Sequence, residues 1–486
     1  MVAKPAPLPG GAFCDLRIRC IGQRTMRAPW PLPIAPCPTR RFPSCPPDDG
    51  LRALLHNEVH ARPSPRLRLP ALVLALAVRH EVSGAAARQA ELEHLRRLPG
   101  QAGLTEQDLA ASFLRLRFAD HTLHWERHTE FSRYLLMQPL PAGADLQAVQ
   151  PELSAGLVLP PGWLAAVPGR TVAALQLVLL EQALDDPAAS LAAGQAWLGG
   201  GSVVASLMGR GHGASGRGHS LVVTDLRLRD DGFERLLVLA PAGTSATRAG
   251  RVAQRLSEVE IYRLMALRGL PVAKSLSALL ADSEAALAQI TARLESRQGS
   301  EAELLEALIH LAAQVERATA EHQYRFAATQ AYATLVEQRL AELRETPIPG
   351  TQTLGEFMQR RLSPAMATVA ATERRLASLS QRIARASALL RTRVDITRET
   401  QNQQLLAKLT EGQSLQLKLQ STVEGLSIAA ISYYVISLLL YGAKAAKLAG
   451  LPIQPELAAG LAVPLVVWGV WRATRRIHDR LLGAGH

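Results

Sequence analysis

The chain has 486 residues, 54 Lys and Arg against 42 Asp and Glu, a net charge of +12 and only 4% aromatic residues. Such a length leaves room for more than one domain. An excess of positive charge points either to nucleic acid or to an anionic membrane surface. No nucleic-acid motif accompanies it and stacking aromatics are scarce, so nucleic acid is set aside as a partner and the inner leaflet of a membrane is preferred.

Residues 1–50 hold all four cysteines (Cys14, Cys20, Cys37 and Cys45) and a proline-rich run, APWPLPIAPCPTRRFPSCPPDDG. The cysteine spacings match no zinc pattern. So much proline cannot bury a core, and a disordered leader is expected. No cysteine follows, so the rest of the chain can form no disulfide, which fits a cytoplasmic setting. The start also lacks an apolar core of the signal-peptide kind.

Residues 51–243 mix short apolar runs with turns. Strands are expected at 71–78, 113–118, 122–127, 133–138, 171–180, 202–208, 221–228 and 233–240, with a helix at 85–98. Consecutive strands joined by polar turns predict an α+β cytoplasmic domain with a largely antiparallel sheet.

Two places in this domain read H-x-E-x-H: His56-Asn57-Glu58-Val59-His60 and His124-Trp125-Glu126-Arg127-His128. On a strand, period two puts both histidines and the glutamate on one face. In the second copy Glu130 extends the row, while Leu123, Trp125 and Phe131 face the other way. Imidazole and carboxylate suit zinc and other divalent metals, and a Glu beside a His can act as a general base. Two plainer readings compete: an ion-paired polar network, and the solvated face of a half-exposed strand. A formal G-x-G-x-x-G occurs at Gly211, Gly213 and Gly216. A strand is expected after it, not the helix whose N-terminus would hold a phosphate, so it reads as a hairpin loop. No cofactor is predicted beyond a divalent metal at the His/Glu motifs.

From residue 244 to 424 strand signals stop. One helix is expected at 247–268, ended by Gly269 and Pro271, and a second at 275–297. Ser300 with Glu303, and Thr353 with Glu356, read as capping boxes opening two more. Leu376, Leu379, Ile383, Ala386 and Leu390 recur at 3-4-3-4 spacing, the seam of a coiled coil. The expected stalk from 365 to 424 would be roughly 90 Å long.

Two apolar stretches follow, 425–443 (GLSIAAISYYVISLLLYGA) and 457–471 (LAAGLAVPLVVWGVW). A span needs about 20 apolar residues, so the first is long enough and the second is short. Together they predict a two-helix transmembrane hairpin over 425–476, with 477–486 as a basic tail. Ser427, Ser432, Tyr433 and Tyr434 are the polar groups of the first span and suit helix–helix packing. Arg472, Arg475, Arg476 and Arg480 outweigh Lys444 and Lys447 of the connecting loop, so both chain ends are expected in the cytoplasm.

Several strings carry a resemblance: NEVHARP (57–63), WERHTEF (125–131), TDLRLRDDGF (224–233), AGRVAQRLSEVEIYRLMAL (249–267) and LQSTVEGLSIAAISYY (419–434). They resemble a bacterial family of uncharacterised membrane-anchored proteins, domain of unknown function 3422. The resemblance implies an inner-membrane protein without an assigned activity. Its motifs fall on Asn57, Glu58, His60, Arg62 and Pro63, and on Trp125, Glu126, Arg127, His128, Glu130 and Phe131. His56 and His124 fall outside them, which leaves Glu58, His60, Glu126 and His128 as the metal candidates. The layout is also similar to CorA-type magnesium channels, whose first span ends in Y-G-M-N. Here Tyr441-Gly442 is followed by Ala443-Lys444, and a lysine repels a divalent cation.

The leading expectation is therefore a non-enzymatic, homo-oligomeric scaffold or sensor anchored in the bacterial inner membrane, its lipid bilayer being the one partner the sequence names. A CorA-like cation channel and a metal-dependent cytoplasmic enzyme are the alternatives.

Overall fold

The apolar run of β1 (Ala71–Arg79) is buried along nearly its whole length. A strand apolar on both faces belongs in the middle of a covered sheet. In the computed structural model, which describes residues 51–52, 55, 64–81, 84–110, 112–149, 156–209, 218–448 and 454–483, β1 lies between β4 (Phe131–Pro139) and β5 (Arg170–Glu181). The remaining strands before residue 257 are β2 (Phe113–Arg117), β3 (Thr122–Arg127), β6 (Val204–Met208), β7 (Ser220–Thr224) and β8 (Glu234–Ala240). Their order is β2-β3-β4-β1-β5-β8-β7-β6. Neighbours run antiparallel except β5 and β8, which are parallel from Leu175↔Glu234 to Glu181↔Ala240. The expected α+β architecture is present.

Helix α1 (Ala85–Arg96) lays Leu92 and Leu95 over one face of the sheet, where they pack with Leu74, Leu123, Trp125, Tyr134, Leu136 and Trp163. A short helix α2 (Glu106–Leu109) follows, and α3 (Pro187–Trp197) covers the other half. The Asp186 carboxylate caps α3 by accepting from the Ala188 and Ala189 amides at 3.0 and 3.1 Å, satisfying donors that have no partner within the helix. Strand β7 ends at Thr224, short of the expected 228. Leu226 turns to a φ of 51°, its amide donates to Thr224 Oγ1 at 3.1 Å, and Leu228 is exposed.

The chain divides into two compact units, Met1–Ser257 and Glu258–His486, and α4 (Ala246–Leu267) runs through the division. In the first unit α4 approaches the segment before β1. A Cβ on Gly250 would meet the Pro65 carbonyl oxygen at 1.7 Å, so only glycine permits this contact.

The second unit is helical: α5 (Gly269–Glu295), α6 (Glu301–Leu343), α7 (Leu354–Leu448) and α8 (Pro455–Gly483). Pro271 does not stop a helix here. It sits in the first turn of α5, where its missing N–H is not needed. Both expected caps form in part or whole. Ser300 Oγ accepts from the Glu303 amide, and Thr353 and Glu356 exchange two bonds of 3.0 Å.

The heptad residues Leu376, Leu379, Ile383, Ala386 and Leu390 are buried against α5 and α6 of the same chain, with Leu276, Leu280, Leu308 and Leu311 among their neighbours. The seam read as a coiled-coil stalk is thus filled from within. The packing closes where Arg393 donates to the Leu294 carbonyl (2.8 Å) and Thr397 to Glu301 (3.3 Å). Beyond it every residue from Arg398 to Val423 is exposed. Among the described residues, three helical stretches are long and apolar enough to cross a membrane. In the one made by α4 and α5, 33% of the most apolar part is buried, against 6% for α7 and for α8. The first is partly buried within the protein; the other two pack on each other but leave most of their apolar residues exposed.

Candidate functional site

Strand β3 carries His124 to Arg127 of the second H-x-E-x-H motif and sorts Leu123 to Glu126 as expected, while His128 lies just beyond its end, against Phe131 and not across from it. Leu123 and Trp125 are buried beneath α1, while His124 and Glu126 face the other way. There β2 and β4 flank them, with Phe113 opposite Glu126, Arg115 opposite His124 and Arg133 opposite Glu126. Arg115 Nε–H donates to His124 Nε2 at 2.9 Å, and Arg133 is paired with Glu126. His128 stacks on Phe131 with ring centroids 4.4 Å apart and holds Nε2 3.8 Å from Glu126. Strand β3 stops at Arg127 and β4 begins at Phe131. Glu130 therefore belongs to the hairpin connection and does not extend the row; its backbone carbonyl accepts from the His80 amide at 3.1 Å.

The electrostatics follow the geometry. Burial, then the Arg115 charge, pushes His124 down to about 4, so it stays neutral. Burial alone would raise Glu126, but its neighbours His128 and Arg133 outweigh it and hold the carboxyl at about 2. A cavity of about 30 Å³ opens beside these groups, lined by Pro65, Phe113, His124, Glu126, Arg133, Leu135 and Gln254. It has room for about one water molecule.

The core face holds a second polar cluster that the strand pattern alone did not announce. Glu91 of α1 is 2% exposed and pairs with Arg127. Ser132 Oγ–H donates to Glu91, which leaves its lone pairs to accept from His80 Nε2–H at 2.9 Å. Burial raises the Glu91 carboxyl against the opposing pull of Ser132 and Arg127. Burial and the Arg127 charge lower His80 to about 4. Serine, histidine and glutamate meet here without forming a nucleophilic triad. A nucleophilic serine donates to the imidazole and the carboxylate orients the far ring nitrogen. Here the serine proton goes to the carboxylate, the glutamate approaches the same Nε2 at 3.6 Å, and Ser132 is 1% exposed.

One turn along α1, His94 lies in an aromatic cage, 4.2 Å from the Trp163 ring and edge-on to Tyr134 at 6.3 Å. Burial lowers it to about 4. The signal for both residues was legible: Glu91 and His94 share the helical face of Leu92, Leu95 and Leu98, so a charge and an imidazole were bound to be buried there.

Asn57, Glu58, His60 and Arg62, with His56, lie outside the described residues. Of the metal candidates Glu58, His60, Glu126 and His128, only the second pair is placed. Among the described residues no three His, Cys, Asp or Glu side chains converge as a metal site. Gly211, Gly213 and Gly216 also lie outside the described residues, and the element after them is strand β7, as expected. A larger cleft of about 1010 Å³ lies at the carboxyl ends of β5 and β8, with Glu181, Asp185, His219, Arg248 and Arg251 on its walls.

The TDLRLRDDGF string forms the β7–β8 connection and is held by Arg229–Asp225 (2.5 Å) and Arg235–Asp231 (3.2 Å). The WERHTEF string is the β3–β4 hairpin described above. No curated protein and no solved structure matches this chain. The family described as "Protein of unknown function (DUF3422)" matches residues 47–481, nearly the whole sequence. The chain belongs to the DUF3422 family.

Proposed function

We propose that this protein is a non-enzymatic scaffold or sensor, a homo-oligomer anchored in a bacterial inner membrane by its last two helices. The observation that supports the anchor is the exposed apolar surface of α7 and α8. Leu426, Leu438, Leu461 and Leu465 are each at least 70% exposed, a surface that water does not tolerate and a bilayer does. The ends of the two stretches carry interface residues. Arg472 and Arg475 lie over Trp468 and Trp471 at 5.2 and 5.1 Å, and Lys444 lies over Tyr441 at 5.8 Å. Aromatic rings at headgroup depth with cations above them are the usual membrane boundary. The arginine excess after the second stretch supports cytoplasmic ends, with the α+β unit in the cytoplasm. The groups of the two polar clusters, His124 with Arg115, Glu126 with Arg133, and Glu91 with Arg127 and Ser132, are engaged with one another, which supports a binding or structural role over chemistry.

Alkaline carbonate washing of membranes from cells producing the full chain tests the reading. The protein should stay in the pellet and, in inverted vesicles, present its N-terminal unit to added trypsin. Recovery in the wash, or protection from trypsin, overturns it.

A further inference from the structure

The oligomer needs a surface, and the 376–390 seam is not available for it. We propose that the surface is the exposed stretch of α7 between Arg398 and Glu424, and that its partner is the same stretch of a second copy of this chain, in parallel and in register. This rests on the membrane-anchored reading above. The neighbouring helices α5 and α6 meet at a turn tied to Arg393 and Thr397. From there α7 continues alone, with every side chain exposed through Val423, for roughly 40 Å at 1.5 Å per residue.

The stretch is not polar all round. Leu405, Leu409, Leu419 and Val423 are 60, 57, 63 and 62% exposed. With Gly412 and Gln416 they follow 4-3-4-3-4 spacing; Leu406 and Leu415 flank them, and Leu417 lies outside the stripe. Ala407, Ser414, Lys418 and Ser421 occupy the opposite side. This stripe is out of phase with the buried seam. Continuing 376-379-383-386-390 leads to Arg393, Thr397, Thr400 and Gln404, which are polar. The chain therefore starts a second apolar face where its own helices stop.

The membrane decides what covers that face. A partner must be a rod of the same length held at the same height above the bilayer. A second copy is set at that height by the same span, which α7 enters without a break at Leu426. Equivalent residues then stand level, Leu409 against Leu409 and Val423 against Val423, as parallel packing requires. Gln416 meets its own equivalent, and a polar layer of that kind fixes register at some loss of stability.

Single cysteines test this in the full chain, with Cys14, Cys20, Cys37 and Cys45 replaced by serine, using copper-phenanthroline oxidation in membrane vesicles. Leu409→Cys and Val423→Cys should give a disulfide-linked dimer. Ser414→Cys and Lys418→Cys, on the far side, should not. Equal crosslinking at all four positions, or none while the protein stays in the carbonate pellet, overturns the pairing and leaves the anchor standing. Loss from the pellet overturns both. As a second measurement, Leu409→Lys with Val423→Lys should cut the dimer fraction in detergent by about tenfold or more, with the circular dichroism of the protein unchanged. An unchanged dimer fraction also overturns the pairing.

Discussion

The two halves of α7 are one unbroken helix and both carry leucines, yet they face different worlds. Up to Val394 its seam residues pack against α5 and α6; from Ile396 to Val423 its leucines are exposed. Heptad spacing therefore specifies that a seam exists, not who fills it. In the first half two helices of the same chain supply the knobs. Between Arg398 and Val423 no described residue of the chain supplies any.

The sharpest way to break this comparison is to make the same deletion in each half. Leu390 is 0% exposed. Leu390→Ala leaves a cavity that its neighbours fill only in part, and should cost about 2–5 kcal/mol. Leu409→Ala, measured on detergent-solubilised monomer, should stay within about 0.5 kcal/mol, as exposed sites do. Urea unfolding followed by helical circular dichroism reads both. Equal losses would mean that the distal half is packed within its own chain.

This contrast also shows what the sequence could and could not say. The strands were legible because ALVLALAV and TVAALQLVLL are long, β-branched or leucine-rich, and bounded by turns. Strand β7 was overextended because Asp225 and Leu226 turn the chain through a local bond that apolar spacing does not register. The Thr353–Glu356 box was legible because capping is local. The owner of the 376–390 seam was not, because Leu308 and Leu390 are far apart in sequence and meet only when the helices stack. In the candidate site, His124 and Glu126 were visible as a strand row. Their arginine partners Arg115 and Arg133 sit on neighbouring strands, and only the register brings them opposite. Glu91 reaches Arg127 and Ser132 across a helix–sheet interface, a pairing no local pattern encodes.

Titration extends the comparison from apolar packing to the polar groups of the α+β unit. His80, His94 and His124 are lowered to about 4 from an ordinary 6.5. The unfolded chain binds their protons first. Their contribution is full above about pH 6.5 and is lost as pH falls toward 4. Glu126, lowered to about 2, adds a loss at lower pH, below its ordinary 4.5. Glu91 is raised and works in the opposite sense, favouring the folded form where it is protonated. A tenfold change in proton affinity corresponds to about 1.4 kcal/mol, so the histidines dominate between pH 7 and 5. Tryptophan fluorescence of Trp125 and Trp163 should show the urea midpoint falling over that range. In His94→Phe, whose ring needs no proton in the Trp163–Tyr134 cage, the fall should be smaller. An unchanged slope would remove His94 from the linkage.

A smaller effect separates the start of α7 from its body. Thr353→Ala removes the acceptor for the Glu356 amide at 3.0 Å, and loss of such a cap costs about 1 kcal/mol. The same measurement as for Leu390→Ala should show a fractional loss. A loss as large as that of Leu390→Ala would place the start of α7, not its seam, at the centre of the unit's stability.

The smallest effect is expected at Glu284, whose carboxylate accepts from both Arg375 Nε (3.2 Å) and Nη2 (2.9 Å) across the α5–α7 groove. The geometry is that of a bidentate pair, yet both side chains are partly exposed, at 34% and 45%. Water screens the attraction, and two long side chains must be ordered to make it. Glu284→Gln should therefore change stability by less than about 1 kcal/mol, and adding salt to the unmodified protein should change it as little. This is the control for the whole contrast. The pair sits beside the buried seam, on the same two helices, and differs from Leu390 only in what it hides from water. A loss matching that of Leu390→Ala would mean that charge pairing, and not the apolar seam, closes the first half of α7.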